Sequence, residues 1–307
     1  MKCSKCGRNA VYFKRSSGVA YCKSCFIEYV EGLVRWTINK RKLFDWNDHI
    51  VLAVSGGKDS IVMMKIVSKI EKNFPNVKLT AITIDEGICD YRKEGIEISK
   101  NFSNEYGIEH LTFSFKDFYG YTLMEIVEKA KRYGSPHNPC TFCGVLRRKI
   151  LNVKSKEIGG TKIATAHNLD DEAQTILMNI LRGDLDKLIR SFKMESYKQE
   201  GFIPRVKPLR YVSEREIALY AYYSGINLYS SECPFSKFSL RSEFRSFLND
   251  YELKHGDVKS SIVSFFEKLV DKITIEDVQL NRCKHCGEPT TRDICRACEL
   301  LEHLNMI

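Results

Sequence analysis

Residues 49–60 read HIVLAVSGGKDS, and the organisation of the chain follows from this stretch. The apolar run at 50–54 predicts a strand, and Gly56 and Gly57 predict a tight turn after it. The next segment, IVMMKIVSKIEK (61–72), has the periodicity of a helix. Glycines let backbone N–H groups approach an anion, and a helix N-terminus carries partial positive charge. The stretch therefore predicts a phosphate-binding loop between a strand and a helix.

The loop is not the Walker type, because no G-x-x-x-x-G-K-[ST] spacing is present. Lys58 supplies a mobile cation, and Asp59 and Ser60 are candidate caps of the helix. The string SGGKDS (55–60) resembles the SGGxDS pyrophosphate loop of ATP pyrophosphatases, which cleave ATP between the α and β phosphates. The resemblance implies that the loop binds ATP.

The middle of the chain alternates between strand and helix patterns. Further strands are predicted at 77–85, 110–115 and 162–166, and helices at 91–106 and 123–132. This alternation predicts an α/β fold with a parallel sheet and a ligand at the carboxyl ends of its strands. Ser55, Asp85 and His167 lie at such ends. The acidic pair Asp170 and Asp171 starts the next helix, where it either caps the helix or holds magnesium for a polyphosphate.

The 307 residues have ordinary globular composition, and Lys plus Arg exceed Asp plus Glu by 48 − 39 = +9. The N-terminal stretch lacks the apolar core of a signal peptide, and no run approaches a membrane span of about 18 apolar residues. We therefore expect a soluble, cytoplasmic protein with no membrane partner. A basic balance is compatible with a polyanionic partner such as nucleic acid.

Ten of the 12 cysteines form five C-x-x-C pairs. A disulfide framework is typical of small secreted chains, so metal sites in a reducing compartment are the better interpretation. The pairs at the two ends have the spacing of closed four-thiolate zinc sites, which staple small folds. These predicted zinc ligands are Cys3, Cys6, Cys22 and Cys25 in the first site, and Cys283, Cys286, Cys295 and Cys298 in the second. Residues 11–22 (VYFKRSSGVAYC) predict a hairpin, and Gly7 a left-handed turn.

Both terminal modules carry basic residues that either contact RNA or are only solvated: Lys2, Lys5, Arg8, Lys14, Arg15, Lys284 and Arg292. A second candidate for RNA contact is the segment 182–215, whose basic residues are Arg182, Lys187, Arg190, Lys193, Lys198, Arg205, Lys207, Arg210 and Arg215. Arg241 and Arg245 are weaker candidates.

The fifth pair, Cys140 and Cys143, has no second pair to complete a zinc site. If Cys233 folds back onto it, three thiolates converge, which suits a [4Fe–4S] cluster with one open iron. Two other interpretations remain open at this point: a redox pair, or a persulfide-bearing nucleophile with its resolving partner. Cys89 has no assigned role, and a buried thiol is the default for it.

The order of these motifs resembles that of the tRNA 2-thiouridine synthetases of the TtuA/Ncs6 family, whose archaeal members are called NcsA. The resemblance spans essentially the whole chain. It rests on the two terminal ribbons, the pyrophosphate loop, PCTFCG (139–144), AHNLDDEAQT (166–175) and ECPF (232–235). A related cytidine-thiolating family shares the loop and central cysteines but lacks the ribbons.

The resemblance implies an ATP-dependent tRNA sulfurtransferase that adenylates the C2 oxygen of a uridine and replaces it with sulfur. It implies that Cys140, Cys143 and Cys233 hold a [4Fe–4S] cluster whose open iron carries the sulfide. The implied catalytic residues also include Asp59, Arg147 and Asp171. The implied ATP-binding residues are Ala53, Ser55, Gly56, Gly57, Lys58, Asp59, Ser60, Asp85 and His167. Arg147 stands where many members have lysine, and Ala166 stands where many have glycine.

The implied cofactors are ATP, Mg²⁺, the cluster and two Zn²⁺ ions. The implied partners are tRNA, a second copy of the chain, and either sulfide or a ubiquitin-like sulfur carrier. We expect a zinc ribbon at 1–30, a pyrophosphatase domain at 31–275 and a second ribbon at 276–307. The alternatives are a Cys persulfide relay without a cluster, adenylation of a different acceptor, and a zinc-ribbon RNA-binding protein without activity.

Overall fold

The N-terminal module is an antiparallel hairpin followed by a long helix. A computed structural model describes residues 1–185, 188–189, 192, 201–226, 233–236, 241–273 and 280–307, apart from the side chains of residues 89 and 90. Strands β1 (Tyr12–Lys14) and β2 (Val19–Tyr21) pair as the hairpin pattern predicted. Gly7 has φ +74°, which confirms the left-handed turn. Helix α1 (Lys23–Arg41) begins directly after Cys22 and runs without a break past residue 30.

The central sheet has five parallel strands. In chain order they are β3 (His49–Ala53), β4 (Lys78–Asp85), β5 (Glu109–Ser114), β6 (Lys162–Thr165) and β7 (Arg205–Val206). Their spatial order is β5-β4-β3-β6-β7. The predicted α/β class and parallel sheet are confirmed, while the short edge strand β7 was not predicted. Strands β3 and β4 are buried along most of their length, as expected for strands covered on both faces.

Helices connect the strands and extend the chain beyond the sheet. In chain order they are α2 (Lys58–Glu71), α3 (Cys89–Tyr106), α4 (Phe115–Tyr119), α5 (Leu123–Arg132), α6 (Pro139–Glu157), α7 (Leu169–Leu181), α8 (Glu214–Tyr223), α9 (Arg241–His255), α10 (Val258–Val270) and α11 (Arg296–Glu302). The last of these follows a second antiparallel pair, β8 (Asn281–Arg282) and β9 (Pro289–Thr290). In the part of the chain that the structure describes, no helix is both long and apolar enough to cross a bilayer.

Each face of the sheet is covered by its own hydrophobic core. One core unites α1, α2 and α8 with the sheet, and it includes Phe26, Ile61 and Tyr220. The opposite core unites α5, α6 and α11, and it includes Phe142 and Leu300. The N-terminal and C-terminal four-cysteine modules therefore pack on different faces of the sheet.

A third core lies outside the sheet and joins α7, α9 and α10. Arg210 is 0% exposed beside it, where its guanidinium lies 4.1 Å from the ring centre of Phe192. It forms ion pairs with Glu172 (Nη2 to Oε2, 3.2 Å) and Glu267 (Nε to Oε1, 3.3 Å). The Arg210 side chain is therefore enclosed and paired within the protein, where it stabilises the fold. The expectation that Arg210 contacts RNA was wrong.

The predicted caps of α2 were also wrong. Gly57 is the N-cap and the helix begins at Lys58, so Asp59 and Ser60 lie in its first turn. The negative charge of Asp59 in the first turn is still stabilised by the partial positive charge of the helix N-terminus. Ser60 instead forms hydrogen bonds within the glycine loop.

Glu71, at the end of α2, generates a test of the fold. Burial, and secondly the charge of Asp48, raise the pKa of Glu71 from 4.5 to about 7. Ionising this carboxyl therefore costs the folded state nothing below about pH 4.5, increasingly more up to about pH 7, and a constant amount above it. We expect Glu71→Gln to raise the free energy of unfolding by about 1–3 kcal/mol at pH 8 and by much less at pH 4.5. Urea unfolding at both pH values measures this, and an equal gain at both would contradict it.

Candidate functional site

The glycine loop is held against α3 by a contact between two backbones. Gly56 has φ +80°, and a Cβ built on it would lie 2.4 Å from the Cα of Gly95. A Cβ on Gly95 would in turn lie 2.6 Å from the carbonyl oxygen of Ser55. Both positions therefore require glycine: Gly56 for its left-handed φ and for space, and Gly95 for space alone.

Side chains complete the loop from within and from α3. The Ser55 amide donates to Oγ of Ser60 at 3.1 Å, and that hydroxyl donates to the Gly57 carbonyl at 2.8 Å. Arg92 donates from Nη1 to the Ser55 carbonyl at 3.2 Å. The loop is thus preorganised at the carboxyl end of β3, directly after Ala53.

Charged side chains gather where α2 begins. Nζ of Lys58 lies 2.8 Å from Glu214 and 3.4 Å from Asp59. Burial raises the pKa of Asp59 to about 6; Lys58 opposes the rise, and Asp171 and Glu214 add to it. Oδ1 of Asp59 is buried without a hydrogen-bond partner. A buried carboxylate oxygen with unused acceptor capacity, next to further carboxylates, suits a hard cation such as Mg²⁺.

The acidic pair at the start of α7 is divided between different partners. Asp171 forms a capping box with Asn168 and pairs with Arg241 at 3.0 Å. Asp170 pairs with Lys259 at 2.5 Å and accepts from the Glu214 amide at 2.7 Å. Both carboxylates therefore stabilise the structure here, and the charge of Asp171 also reaches Asp59.

The remaining predicted nucleotide residues lie at neighbouring strand ends. Asp85 ends β4, and its Oδ1 accepts from the Gly87 amide at 2.8 Å. His167 follows β6, is exposed, and exchanges a hydrogen bond between Nδ1 and Oγ1 of Thr165 at 2.9 Å. The structure thus brings the predicted ATP-binding residues to one edge of the sheet.

Three of the four cysteines outside the terminal modules, Cys140, Cys143 and Cys233, also converge. Cys140 and Cys143 lie in the first turns of α6, which Asn138 caps. The Sγ of Cys140 donates to the carbonyl of Phe235, two residues from Cys233, at 3.6 Å. Burial, and secondly the electrostatic influence of Cys233, raise the pKa of Cys140. The late cysteine therefore folds back onto the pair in the middle of the chain.

The spacing of this trio differs from that of the terminal groups. Each terminal group has four sulfurs within 4.8 Å of one another, as one tetrahedral ion requires. Among the residues that the structure describes, the trio formed by Cys140, Cys143 and Cys233 is not packed so closely. A cubic cluster with a cysteine on each of three irons holds its ligands farther apart than one zinc ion does. Three cysteines leave one iron of such a cluster without a protein ligand, so the donor set suits it.

Arg147 lies one turn beyond Cys143 on the same side of α6. Its Nη1 is 3.4 Å from Oε1 of Glu86, and 47% of its side chain is exposed. Burial raises the pKa of Cys143 to about 11, and the Arg147 charge opposes that rise. The guanidinium therefore reaches both the trio and solvent.

The terminal groups have nearby cations that offset thiolate charge. Arg8 donates from Nε to Sγ of Cys6 at 3.4 Å. Lys149 of α6 lies 3.4 Å from Sγ of Cys298, and Lys156 pairs with Glu288 at 2.9 Å. The helix that carries the cysteine pair thus also anchors the C-terminal module.

Several candidate RNA contacts are engaged within the protein. Lys14 pairs with Glu216 at 3.7 Å, Lys284 with Asp293 at 2.5 Å, and Lys207 with Glu172 at 2.6 Å. Lys187, Arg190, Lys193 and Lys198 lie outside the described residues, as does the side chain of Cys89.

Sequence reasoning missed Glu86, Arg92 and Glu214. Glu86 had a signal, because it is an acidic residue directly after a buried strand and next to Asp85. Arg92 and Glu214 had none, since only the packing of α3 and α8 brings them to the loop.

Comparisons with known proteins agree with this geometry. A family model described as a PP-loop domain matches residues 37–250, and one described as the N-terminal LIM domain of 2-thiouridine synthetase TtuA matches residues 2–27. Cytoplasmic tRNA 2-thiolation protein 1 of Drosophila sechellia and of Drosophila melanogaster is 38% identical over 303 residues, covering 98% of this chain and 87% of theirs. The solved structure of U34-tRNA thiolase NcsA from Methanococcus maripaludis with its [4Fe–4S] cluster is 39% identical. It has a TM-score of 0.86 and covers 99% of this chain and 96% of that one.

The glycine contact provides a test of the loop. We expect Gly56→Ala to destabilise the protein by at least about 1–2 kcal/mol, because a left-handed backbone disfavours a side chain and Gly95 leaves no room. Nucleotide affinity is expected to fall in parallel. The matched variant is Gly57→Ala, where φ is −71° and the nearest atom to a Cβ is Oγ of Ser55 at 3.5 Å. Urea unfolding compares the two, and equal stabilities would show that the contact is unimportant.

Proposed function

Because the chain belongs to the TtuA/Ncs6 family of PP-loop proteins, we propose that it is an ATP-dependent tRNA sulfurtransferase that converts a uridine to 2-thiouridine. The observation that carries the proposal is the series of contacts through Arg92, Glu86 and Arg147 that joins the glycine loop to the helix of the cysteine pair. Arg92 reaches the Ser55 carbonyl of the loop, and the same arginine influences Cys143 electrostatically. Activation of a substrate by ATP and transfer of sulfur to it need these two sites to be adjacent.

The loop performs the activation step. The C2 oxygen of uridine attacks the α phosphorus of ATP, an O–P bond forms, and pyrophosphate leaves. The amides of the loop, the N-terminus of α2 and Lys58 stabilise the negative charge that develops on the phosphates. Asp59, with the charge of Asp171 acting on it, is proposed to hold Mg²⁺, and the buried free oxygen of Asp59 supports this role.

The sulfur step completes the exchange. Sulfur forms a bond to C2, the C2–O bond breaks, and AMP departs with the oxygen. Cys140, Cys143 and Cys233 would hold a [4Fe–4S] cluster, which when bound supplies an iron with an open position for sulfide. Arg147 is permanently charged, so it would stabilise negative charge near the trio rather than supply a proton.

The terminal groups are proposed to bind one zinc ion each and to stabilise the modules that contain them. We propose the division into a ribbon at 1–30, a pyrophosphatase domain at 31–275 and a ribbon at 276–307. The archaeal relative acts on U34 of tRNA, and we propose the same nucleotide, a cytoplasmic location, a homodimer, and sulfide or a ubiquitin-like carrier as sulfur source.

Two alternatives make different predictions. A persulfide relay on Cys140 and Cys143 would thiolate tRNA without iron. A non-enzymatic RNA-binding protein would bind tRNA but release no pyrophosphate from ATP.

Anaerobic purification tests the proposal. We expect a brown protein with about four irons per chain that makes 2-thiouridine from ATP, sulfide and tRNA, with pyrophosphate released. Cys140→Ala, Cys143→Ala and Cys233→Ala should each lose iron and 2-thiouridine together, because three ligands are the minimum for the cluster. Iron analysis and mass spectrometry of tRNA nucleosides measure these outcomes.

Cys89→Ala is the matched control and should keep both iron and activity. If it loses iron, the cluster has four cysteine ligands and no open position. A colourless wild-type protein that thiolates tRNA would favour the persulfide relay, and absence of pyrophosphate release would favour the binding protein.

A further inference from the structure

Glu86 is a carboxylate with 0% exposure that lies between two arginines. Its Oε2 is 2.6 Å from Nε of Arg92, and its Oε1 is 3.4 Å from Nη1 of Arg147. Arg92 is itself 6% exposed along its side chain. The three residues form an ion triad between the carboxyl end of β4, helix α3 and helix α6.

The Arg92 arm of the triad reaches the glycine loop. While Nε faces Glu86, Nη1 donates to the Ser55 carbonyl at 3.2 Å. Gly95 of the same helix is the residue whose backbone contacts Gly56. The orientation of Arg92 therefore affects the segment that defines the position of the phosphates.

The Arg147 arm reaches the cysteine pair. Arg147 follows Cys143 by one turn of α6, and the charges of Arg147, Glu86 and Arg92 all act on the Cys143 sulfur. Without Glu86, an arginine that is 47% exposed would be free to adopt other rotamers in solvent. The carboxylate thus selects the conformation in which Arg147 stays beside the trio.

A buried group of three charged side chains is a poor source of stability for the space that it fills. Removing a carboxylate from water is unfavourable, and apolar residues of the same volume are often equally stabilising. Such a group is well suited to impose one geometry on two elements, because either arginine loses its partner if the elements move apart.

We propose that Glu86 is a positioning residue which, through Arg92 and Arg147, fixes the glycine loop and the cysteine-bearing helix α6 relative to each other. The inference rests on the proposed function, since it concerns the alignment of the activated uridine with the sulfur site. Glu86 itself need not touch substrate.

Glu86→Gln tests the role, because it removes the charge and retains the size. We expect ATP to bind about tenfold more weakly to the cluster-free protein. In the iron-loaded enzyme, single-turnover formation of 2-thiouridine should slow by about 10- to 100-fold, the range typical of outer-shell partners. Iron content and visible absorption should stay as in the wild type, since Glu86 is not a ligand.

The two arms are separable. Arg92→Lys cannot reach Glu86 and the Ser55 carbonyl together, so it should weaken ATP binding and, because Glu86 then holds Arg147 less firmly, also slow the single turnover. Arg147→Gln should mainly slow the single turnover and leave ATP affinity within about twofold. In a protein that already carries Arg147→Gln, Glu86→Gln should slow the turnover much less than it does in the wild type. The reason is that substitutions at contacting residues do not have additive effects.

Glu71→Gln is the matched control, as it makes the same change at another buried carboxylate, outside the triad. It should leave ATP affinity and turnover unchanged. The proposal is overturned if Glu86→Gln behaves like Glu71→Gln, or if its effect is fully additive with Arg147→Gln.

If Glu86→Gln fails to fold, a double-mutant cycle that combines Arg92→Lys with Arg147→Gln replaces it. Both arginines act through one carboxylate, so their effects on turnover should be non-additive, and additivity would overturn the link. ATP binding by the cluster-free protein is measured without tRNA or sulfur. A wild-type protein that binds ATP but never thiolates tRNA would therefore refute the proposed function, while the effect of Glu86 on the loop is still measured.

Discussion

The contact between the backbones of Gly56 and Gly95 is the constraint on which the site depends. It places the loop after β3 against α3 with no side chain between them. Because α3 lies so close, Arg92 can reach the Ser55 carbonyl and Glu86 at the same time. The parallel sheet contributes the other half of the arrangement, since neighbouring strands deliver Ala53, Asp85 and His167 to the same edge.

The buried charges at this edge favour ligand binding and reaction, and they lower the stability of the fold. Burial makes ionisation of Asp59 unfavourable and raises its pKa to about 6. Lys58 offsets part of that cost and is itself shared with Glu214. Buried carboxylates of this kind are typical of sites that bind cations and polyphosphates, where the ligand supplies the missing counter-charge.

The terminal modules pack firmly on the central domain. The first packs through α1 into the core beneath one face of the sheet, and the second packs through α11 against α6 on the other. Lys149 places a cation next to Cys298 from the same helix that carries Cys140 and Cys143. The C-terminal four-cysteine group and the cysteine trio thus share one structural support, helix α6.

Local patterns were enough to predict the hairpin, the alternating strands and helices, both four-cysteine groups and the glycine loop. Each of these depends on residues near one another in the chain, through turn chemistry, periodicity or ligand spacing. Long-range packing decided the rest: the return of Cys233 to α6, the burial of Arg210 between Glu172 and Glu267, and the triad around Glu86. A charged residue has the same appearance in a sequence whether it faces water or a buried partner. Only the folded chain brings distant partners together, because burial and ion pairing depend on elements far apart along it.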